Sequence, residues 1–219
     1  MMSIIELDRI TKSFGDKIIL DEFSLQVEEG EFISLTGPSG SGKSTLLNII
    51  GLLEDFDDGE FTIDEEISAP PNSERANKII REKVSYLFQN YALVDEETVS
   101  YNLSLALKYV KGSKKDKAQK MIEALKTVGL EGYELRRIYE LSGGEQQRVA
   151  IARIMLKPGK IILADEPTGS LDEKNKMKVL DLLKELNHNG KTIIVVTHDP
   201  YVAAMSHKSI SIEGCVKES

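Results

Sequence analysis

Gly37-Pro38-Ser39-Gly40-Ser41-Gly42-Lys43-Ser44 fits the pattern G-x-x-x-x-G-K-[ST], and it lies where that pattern has physical meaning, between a strand and a helix. Residues 31–36 ahead of it read as the strand, and residues 45–50, starting at Thr45, as the apolar helix. Such a loop wraps its backbone round a phosphate without Cβ clashes, so successive N–H groups and the helix N-terminus face the anion. Lys43 adds a full positive charge at the β and γ phosphates. Ser44 offers a hydroxyl to a Mg²⁺ that holds the same phosphates from the other side.

Outward from this loop, residues 4–10, 18–27 and 31–36 alternate β-branched and polar side chains, with turn signals at Gly15-Asp16 and Glu29-Gly30. These are strands. Residues 160–164 and 192–197 are short isoleucine- and valine-rich runs, as expected for parallel strands covered on both faces. Between them, Met177, Leu180, Leu183 and Leu186 recur at helical spacing, and Asn189-Gly190 supplies a left-handed stop. Residues 101–110, 114–128 and 145–156 are also helical in period, broken at Gly112 and Gly129. The pattern predicts a nucleotide-type α/β core carrying an inserted helical lobe over residues 90–157.

Two further stretches carry chemistry. The apolar run Ile161-Ile162-Leu163-Ala164 ends in Asp165-Glu166. Adjacent strand side chains point to opposite faces, but extended geometry breaks down at a strand end. Asp165 can then reach the metal shell while Glu166 turns toward a water at the γ-phosphate. Leu141-Ser142-Gly143-Gly144-Glu145 opens another helix; Ser142 with Glu145 makes a capping box, and the two glycines leave a bare helix N-terminus that favours an anion. Thr197-His198-Asp199-Pro200 follows the last buried strand, so His198 falls on a strand-end loop, where open α/β sheets bind ligands.

The remaining composition narrows the function. The chain has 219 residues, 41% hydrophobic and 29% charged, with 28 basic against 36 acidic side chains and a net charge of −8. One folded domain is expected, and the acidic balance argues against nucleic-acid binding. No apolar run approaches the roughly 18 residues that cross a bilayer, and the acidic start lacks an export-signal pattern. A cytoplasmic location is expected. The single cysteine, Cys215, cannot form an internal disulfide and reads as a bystander.

In the order P-loop, LSGGE, IILADE and THD, the sequence resembles an ATP-binding-cassette (ABC) ATPase subunit along essentially its whole length. That resemblance implies a P-loop NTPase (RecA-like) α/β core over residues 1–89 and 158–219, an N-terminal antiparallel β subdomain and the inserted helical subdomain at 90–157. It implies ATP and Mg²⁺ as ligands, bound by Gly37, Pro38, Ser39, Gly40, Ser41, Gly42, Lys43, Ser44 and Thr45. Phe14 matches the aromatic that stacks on adenine. Gln89 matches the glutamine that touches Mg²⁺ or the attacking water, and Asp165 a metal-shell carboxylate. Glu166 corresponds to the general base or water orienter, and His198 to the γ-phosphate contact. In the family two copies pair head to tail, so Ser142, Gly143, Gly144 and Glu145 of one would close on the nucleotide of the other. Ser170-Leu171-Asp172 matches the loop that crosses the dimer axis.

Three kinds of cassette compete. Chromosome-type members carry long coiled coils between P-loop and signature, whereas Lys43 and Ser142 are only 99 positions apart here. Translation-type members usually carry two cassettes, and this chain has one. A motor for an integral membrane permease is the expected reading, peripheral on the inner face of the membrane. The compact length, the ADEPTGSLD run and the lack of a C-terminal regulatory extension resemble the macrolide-export and lipoprotein-release branch, and LFQNYALVDEETVSYNL its bacteriocin-export group. Peptide or bacteriocin export, or antimicrobial resistance, is the implied role; a cell-division or peptide-sensing mechanotransmission complex is the alternative. The acidic groups Glu54, Asp55, Asp57, Asp58 and Asp95, Glu96, Glu97 read as solvated surface, the second lying in the region where transport relatives dock their permease.

Overall fold

Alternation of buried and exposed side chains builds the first sheet. In the computed structural model, which describes residues 3–213, β1 (Ser3–Phe14) and β2 (Lys17–Glu28) form a long antiparallel hairpin. After β3 (Phe32–Thr36) and α1 (Lys43–Ile50), the chain returns to that sheet as β4 (Asp58–Ile63) and β5 (Glu66–Ile67), in the order β2-β1-β4-β5. Cys215 lies outside the described residues.

α2 (Glu74–Glu82) and β6 (Val84–Leu87) follow, then α3 (Val99–Ala106), α4 (Lys114–Thr127) and α5 (Gly143–Met155). The chain ends with β7 (Ile161–Asp165), α6 (Glu173–His188), β8 (Thr192–Val196), α7 (Pro200–Met205) and β9 (Lys208–Ser211). Five of these strands make a second sheet, ordered β6-β7-β8-β3-β9, in which every pair is parallel. All five residues of β8 are buried, as a strand covered on both faces requires. Ile161, Leu163, Ile194 and Val196 pack with α1 and the antiparallel sheet; Ile162, Ala164, Ile193 and Val195 pack with α5 and α6. That period-two division puts one core on each face.

The structure also differs from the sequence reading. Part of the first acidic stretch also serves the fold, Glu54 pairing with the buried Lys12 at 2.8 Å and the Asp57 carboxylate accepting from Ser13 N–H at 2.7 Å, while Asp55, Asp57 and Asp58 stay exposed as expected of solvated surface. α2 is an element the sequence reading left out, although its polar and apolar side chains segregate strongly to opposite sides; its start is fixed by Ser73, whose hydroxyl accepts from Ala76 N–H. The helix expected over residues 101–110 is shorter, since Lys117 Nζ donates to the Leu107 carbonyl at 2.7 Å and caps its end.

Because the second sheet is parallel, its strands end along one edge. That edge carries the P-loop after β3, Gln89 after β6, Asp165 and Glu166 after β7, and His198 after β8. Ligands of open α/β sheets bind there.

Candidate functional site

The P-loop is shaped by a close approach. Gly42, the N-cap of α1, has φ +100°, and a Cβ there would sit 2.7 Å from Ile19 Cγ2 of β2. Any side chain at 42 would therefore be strained twice, in backbone and in space. Lys43 is buried, its ammonium donating to the carbonyls of Gly37 at 2.9 Å and Pro38 at 2.7 Å, so the charge is held inside the loop's own curve.

Across the cavity, the Ser44 hydroxyl donates to Asp165 Oδ1 at 3.3 Å. Burial raises the Asp165 carboxyl above its usual range, against the opposing pull of Ser44 and Lys43. Glu166 adopts φ +45°, anchored by its N–H to the Val196 carbonyl at 3.0 Å. This left-handed conformation costs a side-chain-bearing residue about 1–3 kcal/mol and turns Glu166 out of the strand's alternation, so that both carboxylates serve one cavity. Glu166 Oε1 is 3.3 Å from His198 Nε2 but outside hydrogen-bonding geometry, and it is buried without a hydrogen-bond partner. Burial, the largest influence, pushes its carboxyl above the ordinary glutamate range, Asp165 adds to the effect, and His198 and Lys43 oppose it.

These side chains line a cavity of about 600 Å³ with Ser39, Gly40, Gly42, Thr45 and Gln89. The sequence reading did not place Ile19, Gly169, Ser170 or Val196 in that lining; Ile19 and Val196 carry no chemical pattern and arrive through the fold. Gly37, Pro38 and Ser41 complete the loop. Phe14 stands apart, half exposed at the end of β1, on the hairpin whose Ile19 abuts Gly42; Lys12 Nζ lies over its ring, 4.7 Å from the centroid. An exposed ring fits a stacking surface better than the core role a lone phenylalanine usually has.

Ser142, Gly143, Gly144 and Glu145 form a separate helix start on α5. Glu145 Oε2 accepts from the Ser142 N–H at 2.8 Å and from its hydroxyl at 2.7 Å, while Glu145 N–H turns to the Ser142 carbonyl. The expected capping box is thus formed mainly from the carboxylate side. Hydrogen bonds from Ser142 lower the Glu145 carboxyl, and Tyr133 Oη, which donates to Oε1 at 3.0 Å, adds to the shift. Tyr133 carries no sequence signal for this role. A Cβ on Gly144 would lie 2.5 Å from Asn175 Cγ, so glycine there lets α6 approach. Asp172 caps α6 through Asn175 N–H at 2.9 Å and also accepts from Asn175 Nδ2 at 2.7 Å, while Arg148 donates to Asn175 Oδ1 at 2.9 Å. None of the four signature residues nor Asp172 lines the P-loop cavity.

Comparison with known proteins agrees with this architecture. A profile of the ABC transporter family matches residues 20–169. The macrolide export ATP-binding/permease protein MacB of Mannheimia succiniciproducens is 40% identical over 97% of this chain. The uncharacterized ABC transporter ATP-binding protein YvrO of Bacillus subtilis is 40% identical over 95% of the chain and 93% of its own length. The chain spans about a third of the length of the MacB relatives. Among solved structures, the dimeric post-hydrolysis state of the cassette MJ0796 with ADP and Pi superposes with a TM-score of 0.87 at 41% identity, covering 96% of this chain and 94% of that one. With likeness of this extent in sequence and in shape, and a P-loop and paired carboxylates brought to one sheet edge, the chain belongs to the ABC transporter family as one of its ATP-binding, ATP-hydrolysing cassettes.

Proposed function

We propose that this cassette hydrolyses ATP in a head-to-tail pair with a second copy and drives a membrane permease of the macrolide-export branch, most plainly one that exports a peptide or bacteriocin or removes an antimicrobial compound. The observation that carries the reading is the convergence of Lys43, Ser44, Asp165, Glu166 and His198 on one cavity, with the glycine-flanked start of α5 outside it. The dimeric MJ0796 structures, to which the fold is similar, support the pairing.

Water attacks the γ-phosphate, giving ADP and phosphate. Glu166 orients that water or accepts its proton, which suits a buried carboxylate oxygen with no other hydrogen-bond partner. Lys43 and the P-loop N–H groups hold the phosphates, and His198 contacts the γ-phosphate. Phe14 offers a ring face to adenine. Ser44, Asp165 and Gln89 supply oxygen donors of the kind a hard cation takes, so they fit Mg²⁺ together with nucleotide oxygens. When bound, Mg²⁺ neutralises charge on the β and γ phosphates. Ser142 and Gly144 from the second copy complete the pocket, so turnover per cassette should rise with protein concentration. Measured ATPase rates that stay strictly proportional to concentration, from a preparation shown to be monomeric, would contradict the pairing.

An apolar groove of about 630 Å³ supports a permease contact. It lies among α2, β6, α3 and α5, floored by the stacked rings of Tyr86 and Phe88 and edged by Tyr109, Arg81 and Arg153. Lys157 at its side donates to the carbonyls of Ile80 and Val84, and burial pulls its amine down to about 8. Among the described residues no helix is long and apolar enough to cross a membrane, and the groove offers a place for a cytoplasmic element of a separate spanning partner. On this reading the cassette sits on the inner face of the membrane, and the helical lobe of residues 90–157 transmits the contact. Asp95 and Glu96 are exposed beyond the groove and would meet a basic or polar element. Changing Asp95, Glu96 and Glu97 to lysine should leave basal ATPase activity intact and abolish its stimulation by the reconstituted permease; undiminished stimulation would remove the acidic cluster from the interface.

A further inference from the structure

Gln89 is followed by a backbone kink with an unusual set of attachments. Tyr91 and Ala92 both have positive φ, +63° and +48°, a conformation disfavoured for residues with a Cβ and needing outside support to persist. The support is Arg153 of α5, which donates Nη2 to the Tyr91 carbonyl at 2.8 Å and Nη1 to the Ala92 carbonyl. Burial disfavours that guanidinium's charge, so two backbone acceptors are an apt partner for it.

The kink places the Tyr91 ring between two loops. Its hydroxyl shares a 3.1 Å hydrogen bond with Ser170 Oγ, and a Cβ on Gly143 would lie only 3.2 Å from the same oxygen. That hydroxyl therefore bonds to the Ser170-Leu171-Asp172 loop and lies beside the first residue of α5. These are the two elements that, on the proposed pairing, close on the second copy's nucleotide. Arg153 ties the same residue to α5 ten positions further along, beside the groove it also lines.

We propose that Tyr91 is a positioning residue: its hydroxyl holds the Ser170 loop while Arg153 holds its carbonyl to α5, so that the loop and the start of α5 arrive together at the partner copy's γ-phosphate. The inference rests on the composite-site reading. Tyr91 does not touch the nucleotide bound by its own P-loop, and its loss affects the assembled pocket while leaving capture of ATP alone. A small misplacement of charge-stabilising groups is enough to slow a positioned reaction substantially.

The test is a double-mutant cycle in the full chain with Tyr91→Phe, Ser170→Ala and the double variant. Each single change is expected to lower kcat about ten-fold, an effect of positioning rather than of bonding to substrate. For Tyr91→Phe the Kd for ATP under monomeric conditions and the melting temperature should stay at wild-type values; Ser170 lines the chain's own P-loop cavity, so its variant is judged on kcat within the cycle. The double variant should be no slower than either single one, because both remove the same bond. Wild-type kcat in Tyr91→Phe, effects that multiply in the double variant, or a loss that falls on Kd instead of kcat would overturn the proposal. Concentration dependence of the wild-type rate, measured alongside, separates the two claims: if that dependence is present and Tyr91→Phe is unimpaired, the positioning role fails while the composite site stands, and if it is absent both fail.

Discussion

Glu166→Gln is expected to bind ATP as tightly as the unsubstituted chain, lose turnover by about 10²–10⁴-fold, the usual worth of a general base, and accumulate as an ATP-bound dimer. The amide keeps the volume of the carboxyl and its left-handed backbone setting, so the fold should hold. Burial already disfavours the charged form at this position, so removing the charge imposes no desolvation cost. What disappears is the acceptor for the water's proton. Without hydrolysis the bridging triphosphate persists, and size-exclusion chromatography with ATP should show the dimer. The same burial predicts the pH profile. Because the Glu166 carboxyl of the free chain is raised above the ordinary glutamate value, it takes up its proton earlier as pH falls, and kcat/KM should decline at a higher pH than a solvent-exposed glutamate would give. Wild-type turnover in Glu166→Gln would remove this residue from the chemistry.

Lys43→Ala and Ser142→Arg should each abolish turnover, by different routes. Lys43→Ala deletes the one full positive charge held inside the P-loop and takes a side-chain donor from the Gly37 and Pro38 carbonyls. ATP affinity should fall by at least about 10²-fold, since a buried charged contact is worth several kcal/mol. Ser142→Arg leaves that loop intact. The exposed N-cap of α5 tolerates the bulk in the single chain, but a long cation there obstructs the close approach of a second copy. Monomeric ATP binding should be normal and ATP-driven dimerisation lost. Equilibrium binding of a fluorescent nucleotide distinguishes the two; equal loss of affinity in both variants would mean that Ser142 belongs to the same pocket as Lys43.

How far the sequence anticipates this structure depends on the range of the interactions involved. The P-loop, the strand ending in Asp165-Glu166 and the Ser142 helix start are local patterns, each readable within eight residues, and each falls on the element expected. The central strands were legible because burial on both faces leaves unbroken runs such as residues 192–196. Long-range features were not. Lys12 with Glu54, Tyr133 with Glu145 and Arg153 with Tyr91 join residues from 12 to 62 positions apart, and no periodicity encodes such pairs. The acidic residues Asp55, Asp57 and Asp58 are surface, as they read, but nothing local announces that Asp57 also accepts from Ser13 N–H. α2 spans nine residues with only Ala76 and Ile79 buried, so its amphipathic pattern, though clear, is short.

The central claim is that each catalytic pocket is shared between two copies, and the most direct measurement of it is ATPase activity in mixtures of the inactive Lys43→Ala and Ser142→Arg chains. A mixed dimer joins the intact P-loop of one chain to the intact α5 start of the other, making one complete pocket of two. Each mixed dimer holds one working pocket of two, so activity should return to at most about half the wild-type rate per dimer, fading as either chain is taken to excess. No recovery at any ratio, in mixtures shown to contain mixed dimers, would contradict the account.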